Sequence, residues 1–498
     1  MIYPDIKLIQ KENLPNRKTI DSHSHILILH SAKLSSRTIA YADKLLTRRK
    51  KLGRKRDDTT PVELDLPNSN STRIVASSVS GDESSFELLT LARKMVASQA
   101  RQNCGHLSVI IAGFVPDKTE RLAEAVIAAV SAAAVELPSL KSSKKTSKRI
   151  NRVTLYGLKV EHGFSRTLAE ASGNALARAL SVSPPNELTP GEYSKRVQKI
   201  ARSEGWEFEF YDISKLKRKK AGAFLAVVQG STERDAGIVR LRYKPGAGKN
   251  SKKLALVGKG ICYDTGGTNL KPANYMFGMH EDMQGSAVAL GCMLALSRCK
   301  VDFEIECWLA LAINHIGPDA YKPNDVVTAA NGKTIEVVHT DAEGRMVLAD
   351  TLVFASREKP DLIIDFATLT GACVYSIGTA YSGIFTNRES FHADMIQAGT
   401  DSGERVWPFP MDKDFDDMLD SDIADVKQCS RESGVDHILA ARFLQLFIEN
   451  NLPWIHIDLA ASNRKGGLAH IPTDTTGFGV RYTMNLLLDK KMPSPGGS

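Results

Sequence analysis

Two stretches of this 498-residue chain collect carboxylates, lysines and glycines in a pattern suited to holding cations. The first runs from Asn331 to Asp350 (NGKTIEVVHTDAEGRMVLAD) and opens with a turn signal, Asn331-Gly332. A strand-like run, Ile335 to Val338, gives way to the polar cluster Thr340-Asp341-Ala342-Glu343-Gly344-Arg345. Leu348, Leu352 and Ala355 then recur at helical spacing. Asp341 and Glu343 are one residue apart, so on an extended backbone they point the same way. Gly344 permits a tight turn, and Arg345 puts a fixed positive charge at a helix start. Cations and an anion can sit side by side in such a place. Taken alone, the same residues also make a plain helix N-terminus dressed with acids.

The second stretch begins with a short apolar strand, Leu254 to Val257. Glycine-punctuated loops follow it: Gly258-Lys259-Gly260-Ile261-Cys262-Tyr263-Asp264-Thr265-Gly266-Gly267, then Lys271-Pro272, then Met279-His280-Glu281-Asp282. A glycine-lysine-glycine after a strand resembles a phosphate loop, but the spacing G-x-x-x-x-G-K-[ST] is absent and excludes one.

With both stretches in view, the sequence resembles the leucyl aminopeptidases, two-metal exopeptidases of the cytosolic type. The family's NTDAEGR stands here as His339 to Arg345, and its GKGxxFDSGGxxxKP as Gly258 to Pro272 with Tyr263 in place of Phe. Further matches are PPNELTP at Pro184 to Pro190, DFATLTGA at Asp365 to Ala372 and SDIAD at Ser421 to Asp425. The resemblance runs from about Leu180 to Leu488, and the N-terminal third matches only in general position.

That resemblance implies a site. Lys259, Asp264, Asp282 and Glu343 would surround one divalent cation, and Asp264, Asp341 and Glu343 a second, Mn2+ or Zn2+ in each place. Four carboxylates are too many to leave unpaired in one pocket. Two dications roughly 3.5–4 Å apart would neutralise them and make water nucleophilic near neutral pH. Lys259 as a ligand must be a neutral amine, so its pKa is expected to be strongly lowered. Lys271 is implied as the group that polarises the scissile carbonyl. Arg345 is implied as the holder of a bicarbonate that moves the proton, with the backbones of Gly344 and Leu369 completing its cradle. Met279, Thr368 and Gly371 fall where the family lines its side-chain pocket, which implies an apolar first residue such as leucine.

The chain departs from the family pattern at His339, His280 and Gln284. Gln428 to Asp436 (QCSRESGVD) also replaces a glycine-rich loop before the last long helix. None of these removes an implied ligand. The family assembles as a hexamer, a dimer of trimers, which the resemblance extends to this chain as an expectation.

Length and patterning set the frame. A chain this long exceeds one compact core, so two domains are expected: an α/β domain over 1–163, a connecting helix and linker over 164–183, and the peptidase domain over 184–498. The Ala-rich, periodic segment Ser165 to Leu180 reads as that helix, with Pro184-Pro185 beyond its end. From Thr189 onward strands and helices alternate, which predicts a mostly parallel sheet covered by helices on both faces. In such sheets functional groups collect at the carboxyl ends of strands. The smaller α/β domain is expected to contain strands at His25 to His30, Thr72 to Ser78, His106 to Ile111 and Arg152 to Leu158. Helices fall between them at Ser85 to Gln99 and Lys118 to Val135.

No apolar run approaches a membrane span, and the N-terminus lacks a secretory core segment. Seven scattered cysteines without a C-x-x-C pair fit reduced core residues, so a cytoplasmic location is expected. Charge is uneven: residues 1–160 carry 27 Lys+Arg against 15 Asp+Glu, a net of +12, and the remainder nets −4. Arg48 to Lys51 with Arg54 to Arg56, and Lys141 to Arg149, supply much of the excess. They predict either solvated loops or a patch for DNA. No helix-turn-helix or zinc finger accompanies them. His23, His25 and His30 have only Asp21 as an acidic neighbour in sequence, and strand alternation favours a structural role.

Overall fold

The computed structural model describes the whole chain except residues 1–2, 36, 56–57, 144–148, 233, 247–251, 433 and 493–498. It divides into two compact units. One comprises Met1–Ala175 with Thr400–Gly403 and Lys465–Asp474; the other comprises Leu176–Gly399, Glu404–Arg464 and Thr475–Ser498. Two short returns of the later chain thus belong to the first unit, a long-range exchange that no local pattern announces.

In the first unit a six-stranded sheet runs in the order Lys7–Lys11, Arg152–Tyr156, His106–Ala112, His25–His30, Arg73–Ser78, Val62–Asp65. Every pairing is parallel except the last. His25–His30 reads as continuously apolar because both its faces are covered. Leu27 and Leu29 join the core beneath the helices Ser85–Ala100 and Pro116–Ala134, while Ile26 and Ile28 join a second core with Ala42 and Leu45. Ser84 starts the first of those helices with a reciprocal capping box to Glu87. The histidines are structural: His23 Nε2 meets the Tyr156 hydroxyl at 2.9 Å, and His25 Nδ1 meets Gln99 Oε1 at 3.0 Å.

The first of the two basic clusters is part helix. Arg48 to Lys51 form the last turn of a helix, Ala42–Lys51, where positive charge complements the helix dipole. Arg49 is buried, its Nε donating to the Lys55 carbonyl at 2.8 Å and its Nη2 to that of Asp58. Arg54 donates to the carbonyls of Thr60 and Pro61. These guanidiniums tie the chain to itself. Arg56 and most of the segment Lys141 to Arg149 lie outside the described residues, as does the C-terminal tail from Pro493.

The second unit is built on an eight-stranded sheet in the order Val406–Pro408, Ser382–Thr386, Trp454–Asp458, Leu362–Ala367, Lys253–Asp264, Glu304–Asn314, Gly237–Tyr243, Glu207–Asp212. The four central strands are mutually parallel, and antiparallel pairings enter only on either side of them. Helices Gly222–Val228, Glu343–Arg357 and Asp436–Gln445 contribute Phe224, Leu348, Leu352 and Leu439 to one core. Helices Gln284–Arg298 and Val480–Leu488 are likewise buried along their length. No helix among the described residues is long and apolar enough to cross a membrane.

Candidate metal centre

The strand Lys253–Asp264 carries the site, and it is longer than its sequence suggests. Gly258 and Gly260 read as loop residues, yet both lie within the strand, so Lys259 projects from its interior instead of following its end. The glycines are there for space. A Cβ on Gly258 would stand 2.4 Å from the Ser286 Cα, and one on Gly260 would stand 2.7 Å from a Leu311 methyl carbon. Helix Gln284–Arg298 therefore presses directly on the strand, a close approach that only glycine permits. The same crowding recurs at Gly344, whose added Cβ would meet the Lys259 side chain at 2.5 Å.

Neighbouring elements bring the acids to this strand. Asp264 is its last residue and pairs in register with Asn314 at the end of the adjacent strand. Asp282 follows the short 3-10 turn Met279–Glu281, and Glu343 opens the helix Glu343–Arg357 with Asp341 just before it. Lys259 Nζ contacts Asp282 Oδ1 at 2.9 Å, Asp282 Oδ2 at 2.8 Å, Glu343 Oε1 at 2.9 Å and the Thr368 carbonyl at 3.0 Å. Lys271 Nζ bridges Asp264 Oδ2 at 2.9 Å and Asp341 Oδ1 at 2.5 Å. One oxygen each from Asp264, Asp341 and Glu343 lies within 4.8 Å of the others. Asp264, Asp282, Glu343 and Lys259 are buried.

Four carboxylates face two ammonium groups, so the cluster holds surplus negative charge away from water, where it is costly. Three of the carboxyls respond with raised pKa values. Burial, then Asp264, push the Glu343 carboxyl up to about 8 despite Lys259. Burial raises Asp282 to about 6 against the pull of Lys259, and burial with Asp264 raises Asp341. Burial alone would lower the Lys259 ammonium, but Asp282, Glu343 and Asp264 outweigh it and hold the proton well above the ordinary lysine range. The lowered pKa expected of Lys259 as a ligand belongs to the cation-loaded site, where adjacent dications would draw these carboxylates away from it. A donor set of hard, largely buried oxygens with surplus negative charge fits divalent cations.

Three residues have a positioning role that the sequence did not reveal. Asn314, fully buried, donates to Asp264 Oδ1 at 2.8 Å and to the Thr340 carbonyl at 3.0 Å. A polar residue ending an apolar strand was the available signal. Thr340 donates to the Gly266 carbonyl at 2.6 Å and accepts from the Asn269 amide at 2.8 Å, joining the two sequence stretches. Gln428, from the divergent loop, is the third. Its Oε1 accepts from the Val338 and His339 amides at 3.2 Å each, and its Nε2 donates to the Ala342 carbonyl at 3.0 Å. It clamps both ends of the turn that presents Asp341. Gln428→Ala is expected to cost roughly 1–3 kcal/mol of stability and to weaken metal affinity, read by thermal melting and metal titration. An unchanged melting temperature and affinity would show that the turn holds itself.

Arg345 is buried, and its partners come from the same loop. Nη2 donates to Asp436 Oδ1 and Oδ2 at 2.9 and 2.8 Å, and Nη1 to the Gln428 carbonyl at 3.1 Å. Nε is buried and makes no hydrogen bond. The Leu369 amide donates to Asp458 Oδ1 at 3.1 Å, while Gly344 lies in the first turn of its helix. Thr368 reaches the cluster, donating to Asp282 Oδ1 at 2.7 Å. Met279 is half-buried in the turn leading to Asp282, and Gly371 is exposed at the start of the helix Gly371–Ile377.

A model of the catalytic domain of the cytosol aminopeptidase family matches residues 175–484. Similar proteins include a probable cytosol aminopeptidase of Wolbachia pipientis wMel, 41% identical over 334 residues, 66% of each chain. Another, from Chlorobaculum tepidum, is 36% identical over 421 residues, 79% of this chain and 82% of that one. This chain thus spans just under two thirds of the first relative and over four fifths of the second. The solved structure of a tomato leucine aminopeptidase mutant superposes with a TM-score of 0.85 at 25% identity, covering 98% of this chain and 97% of that one. The family match and the superposition agree with the fold and with the acid cluster gathered beside its central strand. The chain belongs to the cytosol aminopeptidase family.

Proposed function

We propose that this chain removes N-terminal residues from peptides, preferring leucine or another apolar residue, by hydrolysis at a two-metal centre. The observation that carries this reading is the single buried cluster joining Asp264, Asp282, Asp341 and Glu343 with Lys259 and Lys271. Lys259, Asp264, Asp282 and Glu343 would hold one cation and Asp264, Asp341 and Glu343 the other, with Mn2+ and Zn2+ the first candidates. Cations bound there supply Lewis acidity and make water nucleophilic near neutral pH. The chain's own groups do the rest. Lys271, kept protonated by Asp264 and Asp341 against its burial, donates to the oxyanion that develops on the scissile carbonyl. Thr368, Met279 and Gly371 are read as lining the pocket for the departing residue.

Arg345 carries a permanent charge, so it cannot be the base and is read as the holder of an oxyanion. The family resemblance makes that oxyanion bicarbonate, cradled also by Gly344 and Leu369. The Asp436 carboxylate is a second candidate, favoured by its distances to Arg345. We further propose the domain division given by the sequence, a hexameric assembly and a cytoplasmic location. No nucleic-acid partner is proposed.

Protein stripped of metal and reloaded with Mn2+, Zn2+, Co2+ or Mg2+ is expected to hydrolyse leucine anilide. Hydrolysis that persists in fully chelated protein would overturn the reading. Metal binding is also expected to release protons. Ligands must be deprotonated to bind, and Glu343 stays largely protonated up to about 8, with Asp282 and Asp341 also raised. Affinity should therefore climb as pH rises toward 8, and calorimetric heats should differ between buffers of different ionisation enthalpy. Affinity that is flat with pH, together with equal heats, would contradict this account.

A further inference from the structure

We propose that Asp436 is the built-in anion of Arg345: its carboxylate occupies the position at the guanidinium that the reading above offers to bicarbonate. The inference rests on that reading of Arg345 as an oxyanion holder, and it names the oxyanion. Arg345 is buried to 1% exposure, and a guanidinium in that setting needs a counter-charge. The chain provides one from 91 residues away. Both Asp436 oxygens converge on Nη2, at 2.9 and 2.8 Å. The other end of the guanidinium is anchored by the Gln428 carbonyl at 3.1 Å. The Leu369 amide, the other implied anion donor, is likewise taken by a protein carboxylate, Asp458, at 3.1 Å.

Two features of Asp436 suit a resident anion. It is the first residue of the helix Asp436–Gln445, where backbone N–H groups favour negative charge. It also belongs to the loop whose Gln428 clamps the Asp341 turn, so one segment sets both the metal-side acids and the charge state around Arg345. Asp436 is half-exposed, so a small anion from solvent can reach the guanidinium once the carboxylate is gone. Nε of Arg345, buried without a hydrogen bond, is a further donor for such an anion. Asp436 is thus a positioning residue acting through Arg345, and it makes the site self-sufficient where an added oxyanion would otherwise be needed.

The test uses full-length protein in carbon-dioxide-free buffer, with 13C-bicarbonate as the probe. By NMR, the wild-type protein is expected to bind no bicarbonate saturably, Asp436→Ala to bind it, and Asp436→Ala with Arg345→Ala to lose that binding. In leucine-anilide hydrolysis, Asp436→Ala should lose kcat roughly tenfold with little change in KM. Bicarbonate or formate should restore it while leaving the wild type unmoved. Asp436→Glu, which keeps a carboxylate, should stay independent of bicarbonate, and it reports on the role should the alanine variant fold poorly. Wild-type protein that binds bicarbonate as tightly as Asp436→Ala would overturn the proposal. So would a loss in Asp436→Ala that no small anion repairs, since that marks a merely structural pair. The binding arm needs no turnover, so inactivity of the metal-loaded wild type would sink the peptidase reading and still leave this inference decided.

Discussion

Glu343→Ala and Asp264→Ala are each expected to abolish leucine-anilide hydrolysis, a fall of roughly four orders of magnitude or more. Each residue is assigned to both cations, so either change strips a ligand from both at once. The fold should survive. Ionised Glu343 is an unfavourable guest, since burial and Asp264 push its carboxyl up to about 8. Deleting it leaves Lys259 still paired with Asp282 at 2.8 Å. Metal content by elemental analysis should therefore drop while thermal melting of the chelated protein changes little. Full activity in either variant would sink the two-metal reading, and loss of activity through unfolding would leave the melting curve to say so.

How far the sequence anticipates the molecule depends on whether a feature is local. His25–His30 has the expected bounds, because its apolar run encodes it directly. The acids of the cluster were legible from the two motif stretches and the family they resemble. The error at Gly258 and Gly260 has a physical cause. Glycine reads as a turn signal, but here it answers to the Ser286 backbone 2.4 Å from a missing Cβ, a contact made by a different element. Several strands were not anticipated, among them Gly237–Tyr243 and Ser382–Thr386; the alternation in GIVRLRY could have shown the first. The divergent loop was visible as a departure, but its work was not. Gln428 acts on Val338 and Asp436 on Arg345, pairs some ninety residues apart that only the closed fold brings together.

Lys271→Met separates charge compensation from catalysis, because the two roles predict opposite effects on metal binding. The ammonium lies between Asp264 Oδ2 at 2.9 Å and Asp341 Oδ1 at 2.5 Å. Burial works against its charge, yet Asp264 and Asp341 keep it protonated, so it serves as a donor and not as a base. Removing it takes away a cation that competes with metal for two assigned ligands, and metal affinity should hold or rise. The developing oxyanion would lose its donor, and kcat should fall by about 10²–10³-fold, as when one oxyanion donor is removed elsewhere. KM should change little if the group acts chiefly in the transition state. Methionine approximates the length and bulk of the lysine stem, so packing beside Asp264 is kept. The decisive measurements are metal stoichiometry and kcat on the same preparation. Metal lost along with activity would make Lys271 a structural counter-ion of the two carboxylates, and an unchanged kcat would move carbonyl polarisation to another group.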